Sequence, residues 1–158
     1  MNIVKWVLSL ALGAFLIVFG VTKFTGGAHI FPYIEYKAAA LGFPVADVFF
    51  PVVNYATGLL EIAAGLLVIA PITRIIGSKI AVLPLFGAVI FHLSPLLGVK
   101  TPDGFNETDA ATVSLTAALE AGGPFLRDHF STGASYSLFS IAAVMLAIAL
   151  ANAVLHRR

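Results

Sequence analysis

Four stretches with almost no charge constrain this chain more than any other feature. From Trp6 to Thr22 there is no charged residue, and from Val48 to Thr73 the only one is Glu61. From Ile80 to Val99 the only ionisable group is His92, and Phe130 to Leu155 holds no Asp, Glu, Lys, Arg or His. A helix needs about 20 mostly apolar residues to cross a hydrocarbon core of about 30 Å, and each stretch meets that length. The pattern places helices near 4–23, 53–72, 77–98 and 134–155, with loops at 24–52 and 99–133. The expected fold is all-α: a single domain over 1–158, with four transmembrane helices in an antiparallel up-down bundle. Composition agrees, with 59% hydrophobic and 11% charged residues. Soluble domains run near ~45–50% and ~25%. The first apolar run exceeds the ~7–15 residues of a signal peptide, and no A-x-A-like cleavage site follows Lys23. It reads as an uncleaved anchor.

Lys and Arg flanking the spans set the orientation. With the N-terminus cytoplasmic, that side carries Lys5, Arg74, Lys79, Arg157 and Arg158 and no acid. The other side carries Lys23, Lys37, Lys100 and Arg127, with seven of the eight acids: Glu35, Asp47, Asp103, Glu107, Asp109, Glu120 and Asp128. Both termini are therefore expected in the cytoplasm, and the two long loops outside. A formal net charge of +1 offers no polybasic face for nucleic acid. The absence of cysteine excludes disulfides, thiolate metal sites and CxxC redox exchange within the chain.

The outer loops carry their own signals. Phe31, Tyr33, Tyr36, Phe43, Phe49 and Phe50 make the first one aromatic, and Pro32, Pro44 and Pro51 punctuate it. Aromatic side chains with a polar edge favour the headgroup region. A short interfacial helix near 33–41 is expected, as a packed cap or as a lid over a ligand. In the second loop a helix is expected from Thr108 to Ala121, capped by Thr108 and stopped by Gly122-Gly123-Pro124.

Polar groups inside the spans point to a site. Glu61 lies three residues after Gly58 and four before Gly65, on the small-residue face of the second span. It should sit about 12 Å below the outer membrane end, and a carboxylate at that depth faces the bundle interior with a partner. His92 should lie about 9 Å deep in the third span. Pro95 cannot donate to the Phe91 carbonyl, which is expected free beside it. Lys23 ends the first span on the same side. A Lys23–Glu61–His92 cluster in the outer half of the membrane is therefore expected, serving ligand binding or proton relay. The competing reading is structural: Glu61 bonds between helices while Lys23 snorkels to the headgroups. A haem would need axial ligands within the bundle, yet His92 is the one span histidine. His29 and His129 fall in outer loops, and His156 at the cytoplasmic end. No HxxxH or HxH spacing supports zinc, and no metal is assigned.

The segments Phe15-Leu16-Ile17-Val18-Phe19-Gly20-Val21-Thr22-Lys23-Phe24, Gly58-Leu59-Leu60-Glu61-Ile62-Ala63-Ala64-Gly65-Leu66-Leu67 and Phe91-His92-Leu93-Ser94-Pro95-Leu96 together resemble the first three spans of DoxX-like membrane proteins. The likeness covers about residues 10–104. It implies a four-helix protein of the bacterial inner membrane, with Lys23, Glu61 and His92 at the family's polar positions. Some relatives are small membrane subunits of quinone-linked oxidoreductases, and the resemblance carries over no catalytic role.

Three functions stay open. The first is an accessory or anchor subunit of a membrane redox system, with a redox protein partner and a quinone-like or lipid headgroup near Glu61 and His92. The second is a proton-coupled carrier of small solutes, working as a homo-oligomer because four spans hold no inverted repeat. The third is a ligand-free assembly scaffold. No complete catalytic motif is present.

Overall fold

A computed structural model of the chain describes residues 3–25, 30–102 and 133–156. Five α-helices run through them: α1 (Ile3–Thr22), α2 (Ile30–Ala40), α3 (Asn54–Ile69), α4 (Arg74–Leu93) and α5 (Ser137–Leu155). Four segments are long and apolar enough to cross a membrane: Ile3–Thr22, Ala46–Ile69, Arg74–Leu93 and Ser137–Leu155. This is a multi-pass membrane protein. The expected helix at Thr108–Ala121 lies outside the described residues, as do His29 and His129 and every acid from Asp103 to Asp128.

The helices close into a ring, with α1 on α3, α3 on α4, α4 on α5, and α5 back on α1. Their shared centre is small and apolar: Leu12, Leu16, Ala64, Val68, Ala81, Leu85 and Ala149. The outer face is inverted relative to a soluble bundle. Leu59, Leu66, Leu83, Val144 and Val154 are each more than half exposed. Lipid can cover such a surface, because a helix bonds its backbone groups internally.

Glycine sets how close α1 and α3 come. A Cβ on Gly65 would stand 2.7 Å from the Gly13 carbonyl oxygen, and one on Gly20 would stand 2.8 Å from that of Gly58. The backbones thus touch at two levels, the close contact that small residues permit in lipid.

Proline and its neighbours place the helix ends. Ala70 precedes Pro71 and is extended (φ −70°, ψ 123°), so α3 stops at Ile69. After a turn over 70–73, α4 begins at Arg74, three residues earlier than the sequence pattern suggests. It also ends five residues earlier than expected. Ser94 precedes Pro95 and is extended (φ −94°, ψ 162°). The last span starts at Ser137 rather than 134, because Ala134–Ser135 form a strand (β2) paired antiparallel with Thr101–Pro102 (β1). That pairing joins the segment after α4 to the segment before α5.

The short helix expected near 33–41 is present as α2, a few residues earlier than expected. A 3-10 turn (Ala46–Val48) and a π-helical turn (Phe49–Val53) lead from it into α3. The Phe49 ring meets Phe91 of α4 edge-on, with centroids 5.8 Å apart.

Candidate functional site

Lys23 follows the last turn of α1, and its backbone carbonyl accepts a 3.0 Å bond from Asn54 Nδ2 at the start of α3. Asn54 is 1% exposed. This clamp fixes the end of α1 one and two helical turns from Gly58 and Glu61. The glycine contact brings the backbones together there, since a Cβ on Gly58 would lie 3.2 Å from Lys23 Cβ. The Lys23 ammonium consequently reaches inward and donates to Glu61 Oε2. The two side chains are only 10% and 12% exposed. Lys23 is also 5.9 Å from the centroid of the Phe31 ring in α2. It pairs with Glu61 rather than extending away from the bundle.

His92 occupies the last turn of α4 and is 4% exposed. Gly98 takes the left-handed conformation (φ 81°), which turns its carbonyl back toward the ring, 2.9 Å from Nδ1. A carbonyl only accepts, so Nδ1 carries a hydrogen, and in the neutral ring Nε2 is left as an acceptor. Among the described residues no hydrogen bond reaches Nε2. Phe139 of α5 packs against the ring with centroids 5.7 Å apart. The Phe91 carbonyl, expected free from the sequence, is occupied: the Ser94 hydroxyl donates to it at 2.7 Å and the Ser94 amide at 3.1 Å.

Lys23, Glu61 and His92 do not bond as a triad, but all three line one cavity of about 360 Å³. Its walls are apolar, with Phe15 and Phe19 from α1 and Phe91 from α4. Ile30, Phe31 and Ile34 of α2 form its roof. α2 is thus a cap that also encloses a space. Lys23 has donors beyond the one given to Glu61, Glu61 has a second carboxylate oxygen, and His92 offers Nε2. An occupant with an apolar body and a head that both donates and accepts hydrogen bonds matches this arrangement. Among the described residues no three His, Asp or Glu side chains group as a metal ion would need.

Sequence reasoning reached the three ionisable residues and missed what orients them. Asn54 gave no sign beyond being polar at the start of a span. Gly98 was visible only as a glycine three residues after a proline.

The roof helix carries its own titratable group. Burial first, and then the negative charge of Asp47, push the Glu35 carboxyl up to about 7. Its Oε2 is enclosed with no hydrogen-bond partner. A carboxyl whose pKa rises on folding favours the folded state while protonated. Its contribution is complete below about 4.5 and is lost as pH rises through about 7. Amide hydrogen exchange across 30–40, corrected for intrinsic rates, should therefore be faster at pH 8 than at pH 5.5. Glu35→Gln should remove most of that difference. Equal protection at both pH values in the unaltered protein would contradict the assignment.

Comparisons of the chain with protein-family models, curated proteins and solved structures return no match.

Proposed function

We propose that this protein binds a quinone-like amphipathic molecule within the bilayer and acts as an accessory or anchor subunit of a membrane redox system. The observation that carries the reading is the opening of Lys23, Glu61 and His92 into an apolar cavity between helices. Acceptors at His92 Nε2 and Glu61 suit the hydroxyl groups of a dihydroxy aromatic head, and the Lys23 ammonium suits a ring oxygen. Phenylalanine walls suit the ring and the start of its tail. The resemblance of the first three spans to DoxX-like proteins supports the same class. Without cysteine or paired span histidines, electrons would be carried by the ligand and by a redox protein partner. The proposed setting is the bacterial inner membrane, in an antiparallel up-down arrangement with both termini cytoplasmic. The concentration of Lys and Arg at Lys5, Arg74, Lys79, Arg157 and Arg158 supports it.

Native mass spectrometry after mild-detergent extraction tests both parts, with bound quinone mass or a co-purifying redox protein expected. A binding assay sharpens it. Gly87 lines the cavity, and a Cβ there would meet nothing within 4 Å. Gly87→Leu should fill the space and lower affinity for a short-chain quinol at least tenfold with the fold retained. His92→Leu removes one acceptor, a change of about 1 kcal/mol or a fivefold weakening. No quinol or quinone binding by the unaltered protein would end this reading. Proton-coupled flux in liposomes, abolished by Glu61→Gln, would replace it with the carrier.

A further inference from the structure

The end of the bundle remote from the cavity gathers positive charge with no acidic side chain beside it among the described residues. Arg74 opens α4 and is only 5% exposed. Its Nε donates to the Val68 carbonyl and its Nη2 to the Ile69 carbonyl, each at 3.1 Å, so it caps the end of α3. Its guanidinium carbon lies 3.9 Å from the centroid of the Trp6 ring. Nη1 has no acceptor among the described residues, and it is not among the enclosed polar atoms. Lys5 precedes Trp6 on α1, and its Nζ donates to the Leu155 carbonyl at 2.6 Å at the end of α5. His156 joins them, its Nε2 3.4 Å from Ser9 Oγ. Burial first, and then the charges of Arg74 and Lys5, push the His156 pKa below its ordinary value.

The helix dipoles do not balance these charges. α1 and α4 begin in this layer while α3 and α5 end in it, so two positive half-charges face two negative ones. The full charges of Lys5 and Arg74 remain. Among the described residues the acids are Glu35, Asp47 and Glu61, all at the cavity end. A guanidinium nine-tenths buried against neutral carbonyls and an aromatic ring gains from an anion.

We propose that this layer binds the phosphate of an anionic phospholipid, held by the free Nη1 of Arg74 and by Lys5 beside the Trp6 ring. Guanidinium and ammonium groups are the usual partners of phosphate. A lipid is favoured over free phosphate by what surrounds the charges. Ile3, Ile72 and Ile76 are 78%, 98% and 57% exposed next to them, ready to meet acyl chains. Trp6 is of the residue type that settles at the headgroup level. The site is separate from the cavity and independent of the function proposed for it.

The test is native mass spectrometry of the purified protein titrated with phosphatidylglycerol or with phosphatidylcholine of matched chains. The expected result is about tenfold tighter retention of phosphatidylglycerol. Each basic residue near an anionic headgroup is worth about 1 kcal/mol, or about fivefold. Lys5→Gln should therefore weaken phosphatidylglycerol about fivefold and phosphatidylcholine, whose choline offsets its phosphate charge, by less. That variant keeps a donor for the Leu155 carbonyl, so folding stays intact even where Arg74→Gln disturbs the end of α3. Equal retention of the two lipids would overturn the proposal, as would phosphatidylglycerol affinity unchanged in Lys5→Gln. Displacement of phosphatidylglycerol by equimolar inorganic phosphate would also overturn it, since the site would then hold a free anion.

Discussion

Lys23→Met is expected to destabilise the folded protein by about 3–5 kcal/mol, the usual cost of removing one partner of a buried ion pair. The ammonium is the hydrogen-bond partner that the structure gives the Glu61 carboxylate, and both side chains are about nine-tenths buried. Without it the carboxylate faces phenylalanine rings and lipid. Reversible unfolding in mixed micelles would measure the loss. The double variant Lys23→Met/Glu61→Leu should recover most of it, because it removes the stranded charge together with its partner. It should nonetheless fail to bind quinol. That combination, stability restored and binding absent, separates a functional pair from a structural one. If Lys23→Met costs less than about 1 kcal/mol, the pair behaves like an exposed one and the cavity is wet.

The parts of this molecule legible in the sequence are those the bilayer dictates. Lipid cannot hydrogen-bond a backbone, so a spanning segment must be helical and about 20 residues long. The four charge-poor runs could therefore be read directly. The shared neighbourhood was legible as well, since a rise of 1.5 Å per residue put Lys23, Glu61 and His92 in the same half of the bundle, and they line one cavity. Helix ends were less legible. Pro71 and Pro95 signalled them, but each acted through the extended residue before it, and α4 begins on a charged residue that a hydropathy pattern assigns to the turn. Arg74 can start the helix because its guanidinium donates to the carbonyls of α3 and packs on Trp6. The orienting contacts were invisible for a different reason. The Asn54 clamp joins residues 31 apart in the chain, and the Gly98 carbonyl needs a left-handed turn. Neither follows from periodicity.

The same contact that makes the site possible should make it fragile. Gly65→Ala is expected to destabilise the protein by about 2 kcal/mol, within the usual range for overpacking a tight interior. The added Cβ would lie 2.7 Å from the Gly13 carbonyl oxygen and 2.8 Å from Ile17 Cγ1. A side-chain tip can rotate away, but a backbone oxygen inside a helix cannot, so α1 and α3 must separate. Lys23 and Glu61 ride on those two helices, joined by the Gly20–Gly58 contact two turns nearer the site. Separation at Gly65 should thus lengthen the ion pair and weaken quinol binding, although Gly65 does not line the cavity. Gly87→Ala is the control. Its Cβ meets nothing within 4 Å, and alanine favours the helix over glycine by roughly 0.5–1 kcal/mol. Thermal unfolding should therefore show Gly65→Ala below the unaltered protein and Gly87→Ala at or above it. Equal loss in both would mean that any methyl group in these helices is harmful. The α1–α3 contact would then have no special part in holding the site.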